Sequence, residues 1–235
     1  MEVGKVLEIV ELKKQIEEER REPTPEELET LSGWMGWGAV APAFEKYPKE
    51  EWREVGAQLH LLLGPEGAKA AQEATPSSYF TDRYIVDLLW LIARDLGFTG
   101  GQVLEPGCGS GAFMAAAPLD LPLHITGIER DPFSADIARL RCPGANIITS
   151  PLEKVSLVEG AFDLVIGNVP FADVRMYDKH NGGWGYALHN YFIYRALTAL
   201  RRGGLATLLT SRYTLDAQRE LQRDVLASQA TLLGA

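Results

Sequence analysis

Two short stretches of the 235-residue sequence combine residue types and spacings that could support chemistry at a bound ligand. The first is the glycine turn Gly107-Cys108-Gly109, which follows an apolar run and precedes a predicted helix. Glycines at such a turn let the backbone approach a ligand closely and adopt conformations that other residues avoid. Glu129, at the end of the next predicted strand, could accept both hydroxyl protons of a ribose. The pattern indicates a nucleotide-like ligand, and a tight strand-to-helix turn without a ligand is the alternative.

The second stretch places an amide, a proline and an aromatic ring directly after a strongly apolar segment. Residues 162–166 are predicted to form a buried strand, after which Gly167-Asn168 and Val169-Pro170-Phe171 follow. The Asn168 side-chain oxygen and the Pro170 backbone carbonyl are two acceptors that could bind both protons of one amine. Phe171 could stack on a flat ring. An asparagine-proline turn that merely ends a strand is the alternative.

The elements that must position these residues alternate between strands and helices. Strands are predicted, in chain order, at residues 102–105, 123–128, around 147, 162–166 and 205–210. Helices are predicted at residues 82–96, directly after the glycine turn, from Pro132 onward and at 189–201, with an irregular loop over 172–188. This alternation predicts an α/β fold with a doubly wound, mostly parallel sheet, whose ligands bind at the carboxyl ends of the strands.

Residues 1–75 are predicted to form an N-terminal helical extension to a main domain over residues 76–235. An apolar stripe among glutamates and lysines predicts a solvated helix over residues 2–21, and Thr24 is placed to cap a short second helix. The cluster Gly33-Trp34-Met35-Gly36-Trp37-Gly38 follows. We interpret it as a structural turn whose tryptophans are buried against the main domain, and a surface for a ligand or partner is the alternative.

The glycine turn, written in full as Glu105-Pro106-Gly107-Cys108-Gly109-Ser110-Gly111, resembles the first motif of S-adenosylmethionine (SAM) methyltransferases. It lacks the lysine of a phosphate-binding loop, which argues against ATP or GTP. The resemblance implies a Rossmann-like class I fold, SAM as the cofactor, glycines beside its methionine part and Glu129 on its ribose. The cofactor-binding residues implied in these two segments are Glu105, Pro106, Gly107, Cys108, Gly109, Glu129 and Arg130.

Two further segments complete the implied cofactor site. Ser78-Tyr79-Phe80-Thr81 resembles the motif that precedes the glycine turn in amino-methyltransferases, which implies that Tyr79, Phe80 and Thr81 cover the methionine end. The same residues are also compatible with a helix cap and its hydrophobic staple. The acid that usually recognises adenine after the third strand is missing. Ser150-Pro151-Leu152 stands at that place, and Leu152 or Glu153 is the expected substitute.

The stretch Asn168-Val169-Pro170-Phe171 resembles the Asn-Pro-Pro-Tyr/Phe motif of N6-adenine methyltransferases, with Val169 in place of the first proline. The resemblance implies methyl transfer to the N6 amine of adenine in DNA, with Asn168, Pro170 and Phe171 as catalytic residues and Asn168 also beside the cofactor. Two acceptors on the amine protons would favour a pyramidal nitrogen, so positioning and electrostatics suffice for the reaction. A base inside a duplex cannot reach such a pocket, which implies base flipping.

The resemblance covers residues 25–235 and points to methyltransferase domains of large phage and mobile-element proteins, often fused to a helicase and including antirestriction proteins. It also rests on residues 33–38, on Leu188-His189-Asn190-Tyr191-Phe192 and on Gly203-Gly204-Leu205. The Asn-Val-Pro-Phe variant occurs in that group. The predicted loop carries Arg175, Lys179 and Trp184, which suit phosphate contacts and base stacking. A solvated loop without such contacts is the alternative.

The charge distribution neither supports nor excludes DNA as a partner. The net charge is -9, and residues 1–31 hold ten acids against five bases, so the remaining chain is closer to neutral. We expect the chain alone to bind DNA weakly and to need a further domain, such as a helicase, or a partner chain. The fold usually adds two more strands after the point where this sequence ends, which supports the same expectation.

No apolar run approaches the ~18 residues of a membrane span, so no membrane partner is expected. Cys108 and Cys142, the two cysteines, predict neither a disulfide framework nor a metal site. We therefore expect a protein of the cytoplasm of a bacterium or of the host of a phage or mobile element. Three activities remain as alternatives to DNA methylation: N-methylation of glutamine in proteins, methylation of an RNA base, and a SAM-binding scaffold without catalysis.

Overall fold

The structure is a computed structural model that describes residues 2–75, 81–172, 174–178, 183–216 and 220–235. The strands are β1 (Gly101–Pro106), β2 (Leu123–Glu129), β3 (Asn146–Thr149), β4 (Phe162–Asn168), β5 (Arg175–Asp178), β6 (Gly183–Ala187) and β7 (Leu200–Leu209). The helices are α1 (Val3–Glu19), α2 (Pro25–Ser32), α3 (Glu50–Ala74), α4 (Arg83–Asp95), α5 (Ala112–Ala115), α6 (Pro132–Arg141), α7 (Leu188–Ala199), α8 (Tyr213–Asp216) and α9 (Glu220–Gln229). Short 3-10 helices lie at Trp37–Phe44 and Leu152–Lys154.

The main sheet has the strand order β3-β2-β1-β4-β7 among the described residues, and each neighbouring pair is parallel. The chain moves outward from β1 to β2 and β3, then crosses to the other side of β1 to form β4. The strand order therefore reverses between β1 and β4, where ligands of open α/β sheets usually bind. This topology is the Rossmann-like arrangement of class I SAM methyltransferases, and it confirms the predicted fold class.

The local signals for helix starts are visible in the structure. Thr24 and Glu27 form a reciprocal capping box at the start of α2. The Asp82 side chain accepts a hydrogen bond from the Tyr84 amide and caps α4, and Asp131 caps α6 in the same way. The predicted start of a helix at Pro132 is confirmed.

The N-terminal helices pack on the main domain through an apolar core of their own. Val6, Ile9, Val10 and Ile16 of α1 are buried, so the helix predicted to be solvated has one fully covered face. Ile137 of α6 lies in the same core cluster as these residues. Burial of this stripe is the main force that holds the extension against α6.

Two predictions for the second half of the chain are wrong. Residues 172–188 do not form an irregular loop throughout, because β5 and β6 pair there as an antiparallel hairpin. Its strands are short and β6 contains glycines, so the period-two signal of a strand is weak. The last strand begins at Leu200 and not at residue 205, because Leu200 pairs with Phe162 and Arg201 forms an ion pair with Asp163 of β4.

Within the part of the chain that the structure describes, no helix is both long enough and apolar enough to cross a membrane.

Candidate cofactor and target site

A cavity of about 360 Å³ lies at the carboxyl ends of β1, β2 and β4. Its lining includes Gly107 after β1, Glu129 at the end of β2, and Asn168 and Pro170 at the end of β4. The two stretches singled out from the sequence therefore meet in one space. Parallel strands make this possible, because their carboxyl ends lie at the same edge of the sheet.

The glycine turn ties β1 to β2 and approaches the β4 motif closely. The backbone amides of Gly107 and Cys108 both donate to the Ile128 carbonyl, at 2.8 and 2.9 Å. Gly107 has a φ of +79°, and a side-chain carbon there would lie 3.3 Å from Phe192 Cε1 and 3.7 Å from Pro170 Cδ. A residue larger than glycine would be strained at this φ and would intrude between the two motifs.

The Glu129 carboxylate is held by backbone amides on both of its oxygens. Oε1 accepts a hydrogen bond from the Asp131 amide at 2.7 Å, and Oε2 accepts one from the Gly109 amide at 2.9 Å. Burial raises the pKa of the Glu129 carboxyl to about 7, and these hydrogen bonds oppose the rise. The group is thus oriented by the chain itself and changes its charge near neutral pH.

Glu105 is a second acid of the cavity, and it is only 2% exposed. Burial first, and then the nearby charge of Glu129, hold its pKa well above the usual range of a carboxyl group. Its Oε2 atom has no hydrogen-bond partner among the described residues. A buried polar atom without a partner is costly, so this oxygen is placed to meet a polar group of a ligand.

Asn168 is the last residue of β4, and its Oδ1 atom is buried without a hydrogen-bond partner in the described part of the chain. The adjacent Val169 is fully buried, and its amide donates to the Leu209 carbonyl of β7 at 3.0 Å. The backbone around the motif is therefore fixed by the sheet. Asn168 lines the cavity, and its Oδ1 atom lacks a donor among the described residues.

Other residues predicted for the cofactor site divide into three groups. Cys108, Gly109, Thr81, Arg130 and Leu152 line the cavity, and so do Ser150, Pro151 and Glu153, the segment where the adenine-recognising acid is missing. Pro106 is buried in β1 and Phe171 is half-buried, and neither is among the residues that line the cavity. Tyr79 and Phe80 lie outside the described residues.

The β5–β6 hairpin follows the Asn168 motif and presents two different faces. Met176 lines the cavity and is half-buried, whereas its neighbours Arg175 and Tyr177 are exposed. This alternation is the period of a strand. Val174, just before β5, also lines the cavity but is exposed. Of the predicted nucleic-acid contacts, only Arg175 is fully described, since Lys179 and the side chain of Trp184 lie outside the described part.

A buried polar network anchors the hairpin to α7. The Tyr191 hydroxyl donates to Asp178 Oδ2 at 2.5 Å, and Arg195 Nη1 lies 3.3 Å from the same oxygen. Arg195 Nη2 also donates to the Val155 carbonyl at 2.8 Å, in the segment that follows Leu152. The network links the hairpin, α7 and the loop after β3 into one unit.

Several cavity residues were missed from the sequence. Phe192 lies in the Leu188–Phe192 stretch, which contributed to the family resemblance but was given no role in the site. Met176 lies in the hairpin, which was not predicted. Glu73 and Ala74 end α3 just before the Tyr79-Phe80-Thr81 motif, and this proximity was the one available signal. Phe192 follows Tyr191 by one residue on α7, and only the packing of the helix reveals that it faces the glycine turn.

Comparison with known proteins agrees with this geometry. Residues 104–178, which contain the glycine turn, Glu129 and the Asn168 motif, match the family model described as a methyltransferase domain. The fold is that of class I SAM methyltransferases, this match covers about a third of the chain, and the cofactor that fits both is S-adenosylmethionine.

Individual relatives are distant. The chain is 30% identical over 188 residues to "Defense against restriction protein B" of Escherichia phage P1, an alignment that covers 76% of this chain and 8% of that protein. The chain thus spans a small part of the length of this relative.

Two solved structures share the fold across nearly the whole chain. The type I restriction-modification system methyltransferase subunit from Streptococcus thermophilus superimposes with a TM-score of 0.54 at 13% identity, covering 95% of this chain and 58% of that one. A protein of Listeria monocytogenes described as a class I S-adenosylmethionine-dependent methyltransferase gives a TM-score of 0.52 at 13% identity, covering 96% and 77% of the two chains.

The polar groups of the cavity fit this cofactor. The Glu129 carboxylate offers acceptor lone pairs for the two hydroxyls of a ribose, beyond those used by the backbone amides. Glu105, whose Oε2 has no partner among the described residues, lines the same cavity as the glycine turn, and its carboxyl group suits the polar end of a methionine moiety.

Proposed function

We propose that the chain transfers a methyl group from SAM to the N6 amine of adenine in DNA, acting on a base flipped out of the duplex. The observation that carries this proposal is the buried, unpartnered Oδ1 of Asn168, a residue that lines the same cavity as Gly107 and Glu129. An acceptor at that place needs a donor from a ligand, and the exocyclic amine of adenine is a donor with two protons.

The chain's own residues supply positioning. Asn168 Oδ1 accepts one amine proton and the Pro170 carbonyl accepts the other, which draws the nitrogen lone pair out of conjugation with the ring. When bound, SAM would supply a sulfonium methyl group: the N–C bond would form as the C–S bond breaks, with S-adenosylhomocysteine as the leaving group and the amine proton lost to solvent. The chain holds the amine where this displacement is favoured, so preorganised hydrogen bonds account for the rate enhancement.

The residues that line the cavity support the following cofactor roles. Glu129 holds the ribose hydroxyls, Gly107 and Gly109 lie along the methionine part, and Glu105 lies at its polar end. Leu152 packs against the adenine ring in place of the missing acid, with Glu153 beside it. Thr81 and Arg130 complete the rim of this half of the cavity.

The target side of the cavity is formed by the hairpin and α7. Val174, Met176 and Phe192 line this side of the cavity and offer apolar contacts to the extruded base. Arg175, on the outward face of β5, is exposed and available to a phosphate. Tyr177, which we did not predict from the sequence, offers an exposed ring on that same face.

The names of two relatives support DNA as the substrate class. One is a phage protein named for defence against restriction, and the other is the methyltransferase subunit of a type I restriction-modification system. Both names refer to restriction. The combination of these names with the Asn168 motif favours adenine in DNA over RNA or protein.

A further domain, such as a helicase, or a partner chain is part of the proposal. Among the described residues β7 pairs with β4 on one side and has no strand on its other side. An open strand edge is usually covered in natural proteins. DNA affinity depends largely on neutralising phosphates, and this chain has a net charge of -9. We therefore expect the covering domain or chain to supply most of the DNA affinity.

Transfer of a labelled methyl group tests the substrate class. The chain, in excess over substrate, is incubated with tritium-labelled SAM and separately with duplex DNA, RNA and a protein extract. We expect label in DNA, and we expect its loss in Asn168→Ala. Label in protein alone would favour glutamine methylation, label in RNA alone would favour an RNA base, and cofactor binding without any transfer would favour a scaffold.

A further inference from the structure

The aromatic cluster at residues 33–38 lies between α2 and α3, and its two tryptophans are fully buried. The rings of Trp34 and Trp37 meet edge to face with centroids 4.7 Å apart. Both also contact the ring of Phe133 at the start of α6, at 4.7 and 4.9 Å. Burial against the main domain confirms the structural interpretation of this cluster, but packing does not account for its polar contacts.

Both indole N–H groups donate to the first turn of α6. Trp37 Nε1 donates to Asp131 Oδ2 at 3.0 Å, and Trp34 Nε1 donates to Ser134 Oγ at 2.9 Å. The Ser134 hydroxyl in turn donates to Asp131 Oδ2 at 2.6 Å. Asp131 and Ser134 are each 5% exposed, so their partners come from the protein. The two tryptophan side chains thus belong to a buried hydrogen-bond network centred on the Asp131 carboxylate.

A single hydrogen bond connects this network to Glu129 of the cofactor site. The backbone amide of Asp131 donates to Glu129 Oε1 at 2.7 Å, and Asp131 and Ser134 both line the cavity. The N-terminal extension makes a second hydrogen bond to this segment. Arg130, which lies between Glu129 and Asp131 in the sequence, donates from Nη2 to the Glu73 carbonyl at the end of α3. The N-terminal extension therefore holds the segment from Glu129 to Ser134 at more than one point.

We propose that Trp37, assisted by Trp34, is a positioning residue that fixes the Glu129 carboxylate for the ribose hydroxyls of the cofactor. The inference rests on the proposed role of Glu129. If Trp37 lacks its N–H group, Asp131 Oδ2 loses a donor in a buried place, where an unsatisfied charged acceptor is costly. The segment then relaxes toward water, and the Asp131 amide no longer orients Glu129.

A double-mutant cycle separates this role from a general effect on folding. Trp37→Phe keeps an aromatic ring in the cluster and removes the donor. Binding of S-adenosylhomocysteine is measured by calorimetry in the wild type and in Trp37→Phe, Glu129→Ala and the double mutant. We expect Trp37→Phe to weaken binding about fivefold to tenfold in the wild-type background and to have no effect in the Glu129→Ala background.

Trp52→Phe is the matched control. Trp52 packs against the same core cluster but lies outside the hydrogen-bond network described above. We expect this variant to bind S-adenosylhomocysteine like the wild type in both backgrounds. Should Trp37→Phe fail to fold in a thermal melt, Ser134→Ala replaces it, since it removes a donor to Asp131 with a smaller change in volume.

The outcomes distinguish the two proposals. Equal losses from Trp37→Phe with and without Glu129, or no loss in a folded variant, would overturn the positioning role while leaving the cofactor site in place. If Glu129→Ala itself binds like the wild type, the assignment of the ribose site is wrong, and the positioning role is overturned with it. If Trp37→Phe weakens S-adenosylhomocysteine binding only in the background that contains Glu129, the result supports both the ribose site and the positioning role.

Discussion

The ribose end of the cofactor site and the target side of the same cavity differ in how far the chain satisfies its own polar groups. At the ribose end, both oxygens of Glu129 accept hydrogen bonds from backbone amides, and Asp131 accepts hydrogen bonds from Ser134 and Trp37. At the methionine end, Oε2 of Glu105 has no partner among the described residues. On the target side, Asn168 Oδ1 is buried with no partner among the described residues. The nearby β5–β6 hairpin is anchored to α7 by the hydrogen bond from Tyr191 to Asp178, while its Tyr177 side chain is exposed.

This difference shows that the polar groups of the two sides are oriented to different degrees before a ligand binds. A site whose groups are already oriented loses little freedom when its ligand binds, which favours affinity. A buried acceptor without a donor costs about 1–3 kcal/mol, which a ligand that donates to it offsets. Changes on the cofactor side should therefore alter cofactor affinity, and changes on the target side should alter methyl transfer.

The largest expected effect comes from Asn168→Ala. We expect methyl transfer to fall by about 10²–10³-fold, because a preorganised acceptor for the reacting amine is removed. Cofactor affinity should stay close to that of the wild type. Asn146→Ala, an exposed asparagine in β3, is the matched control. Equal activity of Asn168→Ala and the wild type on DNA would remove Asn168 from the mechanism.

Glu129→Ala should show the opposite pattern. We expect SAM binding to weaken by about 1.5–3 kcal/mol, the magnitude of a hydrogen bond to a charged group. Calorimetry measures this directly, and Glu159→Ala, an exposed acid before β4, should bind like the wild type. A folded wild-type chain that does not bind SAM would contradict the cofactor assignment.

The pH dependence of cofactor binding sharpens the comparison. The ionised form of Glu129 is the better acceptor for hydroxyl protons, and burial raises the pKa of this group to about 7. Affinity should therefore rise from pH 6 to pH 8, by about tenfold if only the ionised form binds. Burial, and then the nearby charge of Glu129, also raise the pKa of Glu105 well above its usual range. Glu129→Gln should abolish the dependence, and a flat wild-type profile would argue against the role of Glu129.

The smallest effect concerns DNA affinity and its response to salt. With few cations near the hairpin, raising salt from about 50 to 200 mM should weaken DNA binding by the chain alone by about tenfold or less. A longer protein that contains a covering domain should bind more tightly and lose more affinity over the same range. A titration of both proteins at matched salt measures the two slopes. Tight, sequence-selective binding by residues 1–235 alone would contradict this expectation.

The sequence predicted the sheet and the meeting of its two motifs, because both follow from local signals. Apolar strands, caps such as Asp131 and the turn at Gly107 are set by neighbouring residues, and a parallel sheet then brings the strand ends together. The hairpin formed by β5 and β6 escaped prediction because its strands are short. The contact of Trp37 with Asp131 escaped it because 94 sequence positions separate the two residues, and tertiary packing alone joins them.

The most direct test of the central claim is nucleoside analysis of DNA after reaction with this chain. The chain is held in excess over duplex DNA and SAM is added, so that weak DNA affinity does not hide the chemistry. After digestion, mass spectrometry identifies the methylated nucleoside. The account predicts N6-methyladenine with the wild type and none above background with Asn168→Ala. Methylation at another base, or equal N6-methyladenine from both proteins, would contradict it.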